Sequence, residues 1–257
     1  MRKNSLCRLC GNVSSYLFDG ALLNFSISYY ECPECGYVQT ETPYWLEEAY
    51  SSPINVFDTG ILLRNSQNLK FTASVIKTLG LGNGRVLDYS GGYGILVRML
   101  RDIGIDAYWS DKYSENLLSR GFEYRNQKIS ILTAYEVFEH LVEPMKDIDK
   151  LFDLSSNIII STELIDARSP RSEDWWYYGS EHGQHIGFYK YSTLEFIARK
   201  YNKYLFSNGK NLHVLTDKKI CKFKFFFISK VSFFSPRLLF LSKPRFVWKD
   251  HQKLRRN

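Results

Sequence analysis

The stretch VLDYSGGYGILVRML, residues 86–100, decides the fold. An apolar run ends at Asp88, glycines follow at 91, 92 and 94, and Leu96, Met99, Leu100 and Ile103 then recur at i, i+3, i+4 and i+7. That order predicts a strand over Val86–Asp88, a turn of bare backbone, and a helix with one buried face that stops at Gly104. A turn of this kind holds a ligand against peptide groups. A phosphate loop needs G-x-x-x-x-G-K-[ST], and no lysine followed by Ser or Thr stands here. A dinucleotide fingerprint starting at Gly92 and Gly94 would need its third glycine where Val97 sits.

The acids around the loop point elsewhere. Asp88, at the strand end, would repel a pyrophosphate and suits a ligand with a positive end. Asp111 comes twenty residues after Gly91, at the end of the next predicted strand, where a carboxylate can accept both ribose hydroxyls. S-adenosylmethionine, with its ammonium, sulfonium and adenosine, meets both demands.

Outward from the loop, short apolar runs alternate with helical segments, which implies a parallel sheet. IDAYWSD reads as a strand ending at Asp111, NLLSRG as a short helix, and ISILTAYEVFEHL as a strand with Glu136 at its end. SSNIIISTEL suits a central strand buried on both faces. YSTLEFIARKYN has helical spacing, and YLFSNGKNLHVLTD reads as a hairpin around Asn208-Gly209. A late hairpin after a βα series suits a seven-stranded, Rossmann-like α/β sheet whose last strand runs antiparallel. Upstream, Leu69, Ala73, Ile76 and Gly80 share one face of a helix that the Gly80/Gly82/Gly84 cluster ends.

Four of the five cysteines form two C-x-x-C pairs, Cys7/Cys10 and Cys32/Cys35, with Gly11 and Gly36 directly after them. Two tight turns can then present four thiolates to one structural zinc, and the intervening YLFDGALLNFSISYYE could supply the strands of a zinc ribbon. Four protein ligands close such a site to chemistry. Cys221 stands alone and is expected to be an ordinary thiol. No long apolar h-region and no uncharged apolar run of spanning length is found, so a cytoplasmic location is expected.

The chain has 257 residues and a net charge of +7, but the charge is uneven. Residues 218–257 hold twelve of the 34 basic residues and one of the 27 acids, leaving 22 basic and 26 acidic groups before them. The body is therefore mildly acidic, which argues against a nucleic-acid surface spread over it. The expected blocks are a zinc ribbon over 1–42, a helical linker or cap over 43–84, a cofactor-binding domain over 85–217 and a basic aromatic extension over 218–257.

These stretches together resemble class I S-adenosylmethionine-dependent methyltransferases, in particular the bacterial branch with an N-terminal zinc-binding region found among surface-polysaccharide and sugar-nucleotide genes. CRLCGN, YYECPECGYVQ, RVLDYSGGYGILVRMLRDIGIDAYWSDKYSENLLSRGFE, TAYEVFEHLVEP, STEL and DWWYYGSEHGQHIGFYKYSTLEF carry the resemblance over residues 7–217. It implies cofactor contacts at Asp88, Ser90, Gly91, Gly92, Gly94, Asp111, Lys112, Phe122, Tyr135 and Glu136. Ser90 stands where the family usually has glycine. The chain is also similar to antibiotic-pathway sugar C-methyltransferases: His185 matches the final histidine of their active-site strip, but Gln184 replaces the preceding glutamate. That mismatch weakens C-methylation, which must deprotonate a carbon acid.

An oxygen acceptor needs alignment and a base near working pH. His185 is the expected base, with His182 and Glu136 as further catalytic candidates. His140, Trp175, Trp176, Tyr177 and Tyr178 are expected on the substrate side, the four aromatics as a lid stacking on a sugar or glycan. The tail, rich in Phe and Lys, is expected to pack on the domain with a basic outer face, with peripheral contact to anionic membrane as the competing reading. An RNA methyltransferase is disfavoured because YEVFEH stands where a base-binding N-P-P-Y motif would follow. A non-catalytic adaptor is disfavoured by the intact Asp88, glycines and Asp111.

Overall fold

A computed structural model describes residues 4–50, 58–165 and 175–256. In chain order the elements are β1 (Ser5–Leu6), β2 (Val13–Leu22), β3 (Phe25–Glu31), β4 (Val38–Thr40), α1 (Leu46–Ala49), α2 (Ile61–Leu79), β5 (Arg85–Tyr89), α3 (Ile95–Asp102), β6 (Asp106–Ser110), β7 (Ile131–Tyr135), α4 (Pro144–Leu154), β8 (Ile158–Ser161), β9 (Gly187–Phe188), α5 (Tyr191–Lys200), β10 (Tyr204–Ser207), β11 (Leu212–Thr216), α6 (Lys222–Phe234) and α7 (Val247–Leu254). They form two compact units. The cysteine unit comprises Met1–Asn55, Glu136–Phe152 and Ile160–Leu215, and the glycine-loop unit Val56–Tyr135, Asp153–Ile159 and Thr216–Asn257. Part of the expected 43–84 linker, residues 51–57, lies outside the described residues.

In the cysteine unit one sheet runs β1-β2-β3-β4-β9. β2 and β3 form an antiparallel hairpin closed at Leu22 and Phe25, with a register shift between Tyr16 and Phe18. The alternating segment between the cysteine pairs thus makes the strands expected of it. β4 is buried at every residue and pairs with β9, Val38 opposite Phe188. The core beneath is apolar and aromatic, with Leu22, Ile27, Tyr29, Tyr178, Ile186 and Phe188 fully enclosed.

The glycine-loop unit is built on β5, which pairs in parallel with β6 on one side and β7 on the other. α3 buries Leu96, Val97 and Leu100, and ends where Gly104 turns left-handed (φ +94°) and its N–H bonds the Arg101 carbonyl. α2 buries Leu69, Ala73 and Ile76 and is capped by the left-handed Gly80.

The second sheet follows the order β10-β11-β8-β7-β5-β6, six strands where the sequence suggested seven. Beyond β6 the chain makes a single parallel bridge, Trp109 to Glu123. That segment is too short to extend further, lying between left-handed residues Gly121 and Asn126. NLLSRG is not a helix. The Phe122 N–H closes a tight turn onto the Ser119 carbonyl, and Gly121 takes the left-handed φ of +84°, so the chain turns away before a helix can propagate. The late hairpin forms, with Asn208 Oδ1 accepting from the backbone of Lys210, Asn211 and Leu212.

The basic tail folds into α6 and α7 within the glycine-loop unit. Ser232 Oγ donates to the Lys70 carbonyl, and Phe225 meets Phe71 edge-to-face. α7 is anchored by Asp250, buried and bonded to Arg101 Nε at 2.7 Å and an Arg98 terminal nitrogen at 2.7 Å. Burial works against its ionised form, but the Arg101 and Arg98 hydrogen bonds outweigh it and hold its carboxyl below the usual range. Removing Asp250 would strip the enclosed Arg101 of the carboxylate on its Nε and Nη2, leaving Asp106 on Nη1 alone. Asp250→Ala is expected to cost about 3–5 kcal/mol in urea unfolding. Because the folded-state pKa is depressed, the wild type's advantage over Asp250→Ala should be present at neutral pH and shrink as pH falls through the Asp250 titration.

Candidate active site

In the glycine-loop unit the strand β5 delivers Asp88 to the loop, where it is 4% exposed. Its Oδ1 accepts the Thr133 hydroxyl at 2.6 Å from the neighbouring β7. Burial pushes the carboxyl up to about 7, opposed by the Thr133 hydrogen bond and reinforced by the charge of Asp111. A side chain at residue 91 would place its Cβ 2.8 Å from Asp88 Oδ2 and 3.0 Å from Trp109 Cδ1, so any residue but glycine would push the carboxylate and the indole aside. Ser90 adopts φ +56°, the left-handed conformation that the glycine usual at this position would take without strain.

Asp111 ties the loop shut. Its Oδ2 accepts the Gly92 N–H at 2.9 Å, and its Oδ1 accepts from Tyr113 and Ser114. Trp109, which the sequence reading passed over, donates its indole N–H to the Gly92 carbonyl and lines Gly91. Its position one residue before the strand end was the available signal. Lys112 is exposed, over the Tyr113 ring. Phe122 is buried with the Arg101 guanidinium 3.8 Å from its ring centre. The Tyr135 hydroxyl lies 2.7 Å from Thr72 Oγ1, and burial raises its phenol above the ordinary range. Phe122 and Tyr135 therefore have packing partners of their own.

The cysteine unit holds a cluster of titratable groups. Glu136 takes the left-handed φ of +54°, strained for a non-glycine, and is fixed by Ser161, whose Oγ accepts the Glu136 N–H and donates to Oε1 at 2.5 Å. A 3-10 turn, Phe138–His140, then buries Glu139 completely. Neither Glu139 oxygen has a hydrogen bond of normal geometry among the described residues, the hydroxyls of Tyr177 and Thr162 being its polar neighbours. Burial, and then the charge of Glu136, push its carboxyl well above the usual range.

His140, His182 and His185 come together here, with ring centres 4.9 Å apart for His140–His185 and 4.8 Å for His182–His185. His185 Nδ1 donates to the Tyr177 carbonyl at 2.6 Å, which leaves its Nε2 with a lone pair. His140 Nδ1 lies 3.0 Å from the Gln184 carbonyl and 3.1 Å from the Tyr50 hydroxyl. His182 Nδ1 instead accepts the Gln184 N–H, so its proton sits on Nε2. Burial lowers all three, His140 to about 4 and His185 well below the ordinary imidazole value. Glu139 was missed in the sequence, although it adjoins His140 in FEHL.

The aromatic loop divides. Tyr177 and Tyr178 turn inward and are buried against His185 and against Tyr29 and Phe188, respectively. Trp175 is half-buried beside them, while Trp176 is 76% exposed. The 3-10 turn Trp176–Tyr178 sends successive rings to different sides, so of the four aromatics expected as a lid the two tyrosines lie in the core and the tryptophans keep exposed surface. Elsewhere in this unit the Sγ atoms of Cys7, Cys10, Cys32 and Cys35 lie within 4.8 Å of one another, unlinked by disulfides. Cys7 and Cys35 approach to 3.7 Å, Cys10 and Cys32 to 3.4 Å.

A family model described as a methyltransferase domain matches residues 63–205, more than half of the chain. Among solved structures, a magnesium protoporphyrin IX methyltransferase from Synechocystis PCC 6803 with bound SAH is 16% identical, with a TM-score of 0.46, and the match covers 67% of this chain and 93% of that one. The mitomycin 7-O-methyltransferase MmcR is 13% identical, with a TM-score of 0.41 and coverage of 67% and 60%. Monomeric WbdD is 14% identical, with a TM-score of 0.41 and coverage of 60% and 42%. No curated protein matches the chain.

Asp88 yields a test that needs no ligand. Its folded-state pKa is raised, so the protein should lose stability as pH rises from about 4 to about 7 and level off above that. Asp88→Asn removes the titration. In chemical denaturation its stability relative to wild type should climb across that window by about 1–4 kcal/mol. A constant difference would show that Asp88 is not held as described.

Proposed function

The chain belongs to the methyltransferase-domain family, and from that premise we propose that it transfers a methyl group from S-adenosylmethionine to a hydroxyl of a sugar, nucleotide sugar or similar polar acceptor. The observation that carries the donor is Asp88, a carboxylate buried at the end of a central strand and packed closely against Gly91. The family's cofactor would be held by the Asp88–Gly94 loop, its positive charge relieving the cost of ionising Asp88. When bound, it supplies a methyl group on a positively charged sulfur. Asp111, already bonded to three backbone amides, fixes the loop and would share its oxygens with the ribose.

On the acceptor side the Glu139–His140–His185 cluster handles the hydroxyl. His185 is the group best prepared, because its Nδ1 proton is committed to the Tyr177 carbonyl and its Nε2 lone pair is available. As the new O–C bond forms, the hydroxyl proton must leave, and enclosed neutral imidazoles can polarise or receive it. Exposed Trp176, with Trp175 beside it, offers a ring face to the apolar side of a sugar. The Cys7/Cys10/Cys32/Cys35 cluster would hold a structural zinc; four thiolates fill its coordination and leave no open position.

The tail supports a second reading, contact with an anionic bilayer surface. α6 and α7 expose Phe223, Phe226, Phe227, Phe233, Phe234 and Trp248 among lysines. No helix of the described residues is long and apolar enough to cross a membrane.

His185→Ala should bind S-adenosylhomocysteine as wild type does yet lose about 100-fold or more in methyl transfer to a panel of nucleotide sugars. Undiminished turnover would remove His185 from the chemistry. For the tail, exchanging Phe226, Phe227, Phe233 and Phe234 for serine leaves the Asp250 anchor intact. It should abolish flotation with phosphatidylserine vesicles; flotation equal to wild type would dismiss membrane contact.

A further inference from the structure

Glu139 is difficult to explain as a structural residue. A carboxyl group that is 0% exposed, with neither oxygen in a hydrogen bond of normal geometry among the described residues and the Tyr177 and Thr162 hydroxyls as its polar neighbours, is costly to bury. Two imidazoles face it. One ligand atom each from Glu139, His140 and His185 lies within 4.8 Å of the others. Three atoms so placed share a centre no more than about 2.8 Å from each, since 4.8/√3 is about 2.8. A divalent ion binds imidazole nitrogen at about 2.0–2.1 Å and carboxylate oxygen at about 2.0–2.2 Å, so inward shifts of less than an ångström would close the set.

The outer contacts fit the same reading. A metal-bound histidine ordinarily donates its second ring N–H to a carbonyl, which fixes both the tautomer and the ring direction. Both histidines do this: His185 Nδ1 to the Tyr177 carbonyl and His140 Nδ1 to the Gln184 carbonyl. Gln184 is itself held by its side-chain N–H to the Ala49 carbonyl. His182, with its proton on Nε2 and Nδ1 engaged, is left out of the set.

We propose that Glu139, His140 and His185 form a second metal site, distinct from the four cysteines, which takes a divalent transition ion of the zinc type. Two histidines and one carboxylate leave positions open, the pattern of catalytic rather than structural sites. The proposal rests on the reading of this cluster as the acceptor side and names its agent: an ion there would bind and polarise the acceptor hydroxyl, with the His185 lone pair on the ion. The hydroxyl proton would pass to the Glu136 carboxylate, whose charge acts on Glu139, as the oxygen takes the methyl group and the sulfur keeps the bonding pair.

Zinc titration of the full chain, followed by calorimetry and metal analysis, tests this. The expected result is an ion, about one per chain, that Cys7→Ser retains, that Glu139→Gln loses, and that His185→Ala binds about 100-fold or more weakly. Circular dichroism and binding of S-adenosylhomocysteine serve as folding controls, and Glu139→Gln preserves shape should His185→Ala fail them. Zinc binding confined to the cysteines, or left unchanged by Glu139→Gln and His185→Ala, overturns the site. If the chain methylates an acceptor without this ion, the metal site falls and the methyl-transfer function stands. If it binds the ion here but no S-adenosylhomocysteine, the metal site stands and that function falls.

Discussion

The carboxylate of Asp88 constrains everything around the glycine loop. It sits at the end of β5, between two parallel neighbours, and accepts the Thr133 hydroxyl from β7 at 2.6 Å. Space and charge follow from that placement. A side chain at residue 91 would have to displace the Asp88 carboxylate and the Trp109 ring. Ser90, Gly92 and Gly94 then take left-handed backbone angles to bring the chain from strand to helix within a few residues. Asp111 and Trp109 hold the resulting loop from β6 by bonds to Gly92. A buried, weakly solvated acid at the mouth of such a loop favours a cationic guest over a phosphate.

The cysteine unit uses burial differently. Its imidazoles are kept neutral by enclosure and held by backbone carbonyls, and one nitrogen each of His140 and His185 lies within 4.8 Å of a Glu139 oxygen. Glu136, strained and fixed by Ser161, adds a second carboxylate at the end of β7 and raises the cost of ionising Glu139. Such an arrangement is expensive for stability alone and suits groups that handle a proton or an ion.

Much of the glycine-loop unit was legible because its signals are local. Asp88, the glycines, the i, i+3, i+4 pattern of α3 and the Gly104 stop lie within twenty residues, and the paired C-x-x-C turns are equally compact. The errors arose where distant contacts decide. NLLSRG has helix-forming residues, but the turn from Ser119 to Phe122 through left-handed Gly121 ends it. The seventh strand shrinks to one bridge at Glu123 because turns flank it closely. Tyr177 and Tyr178 looked like lid residues for want of a period, yet Tyr29, Phe188 and His185 supply the core that receives them. Glu139 was passed over because nothing in FEHL tells a buried carboxyl from an exposed one; only the return of His185 from 45 residues further on makes the cluster.

Calorimetry with S-adenosylhomocysteine, whose ammonium keeps the positive end, measures whether Asp88 and its loop receive a cationic methyl donor. Because Asp88 titrates near 7 in the free protein and must be ionised to face that ammonium, binding should tighten as pH rises from 6 to 8, with proton release on binding. Asp88→Asn should weaken binding and flatten the pH dependence. No binding by the wild type, or binding that Asp88→Asn leaves equally tight at both pH values, would contradict the account.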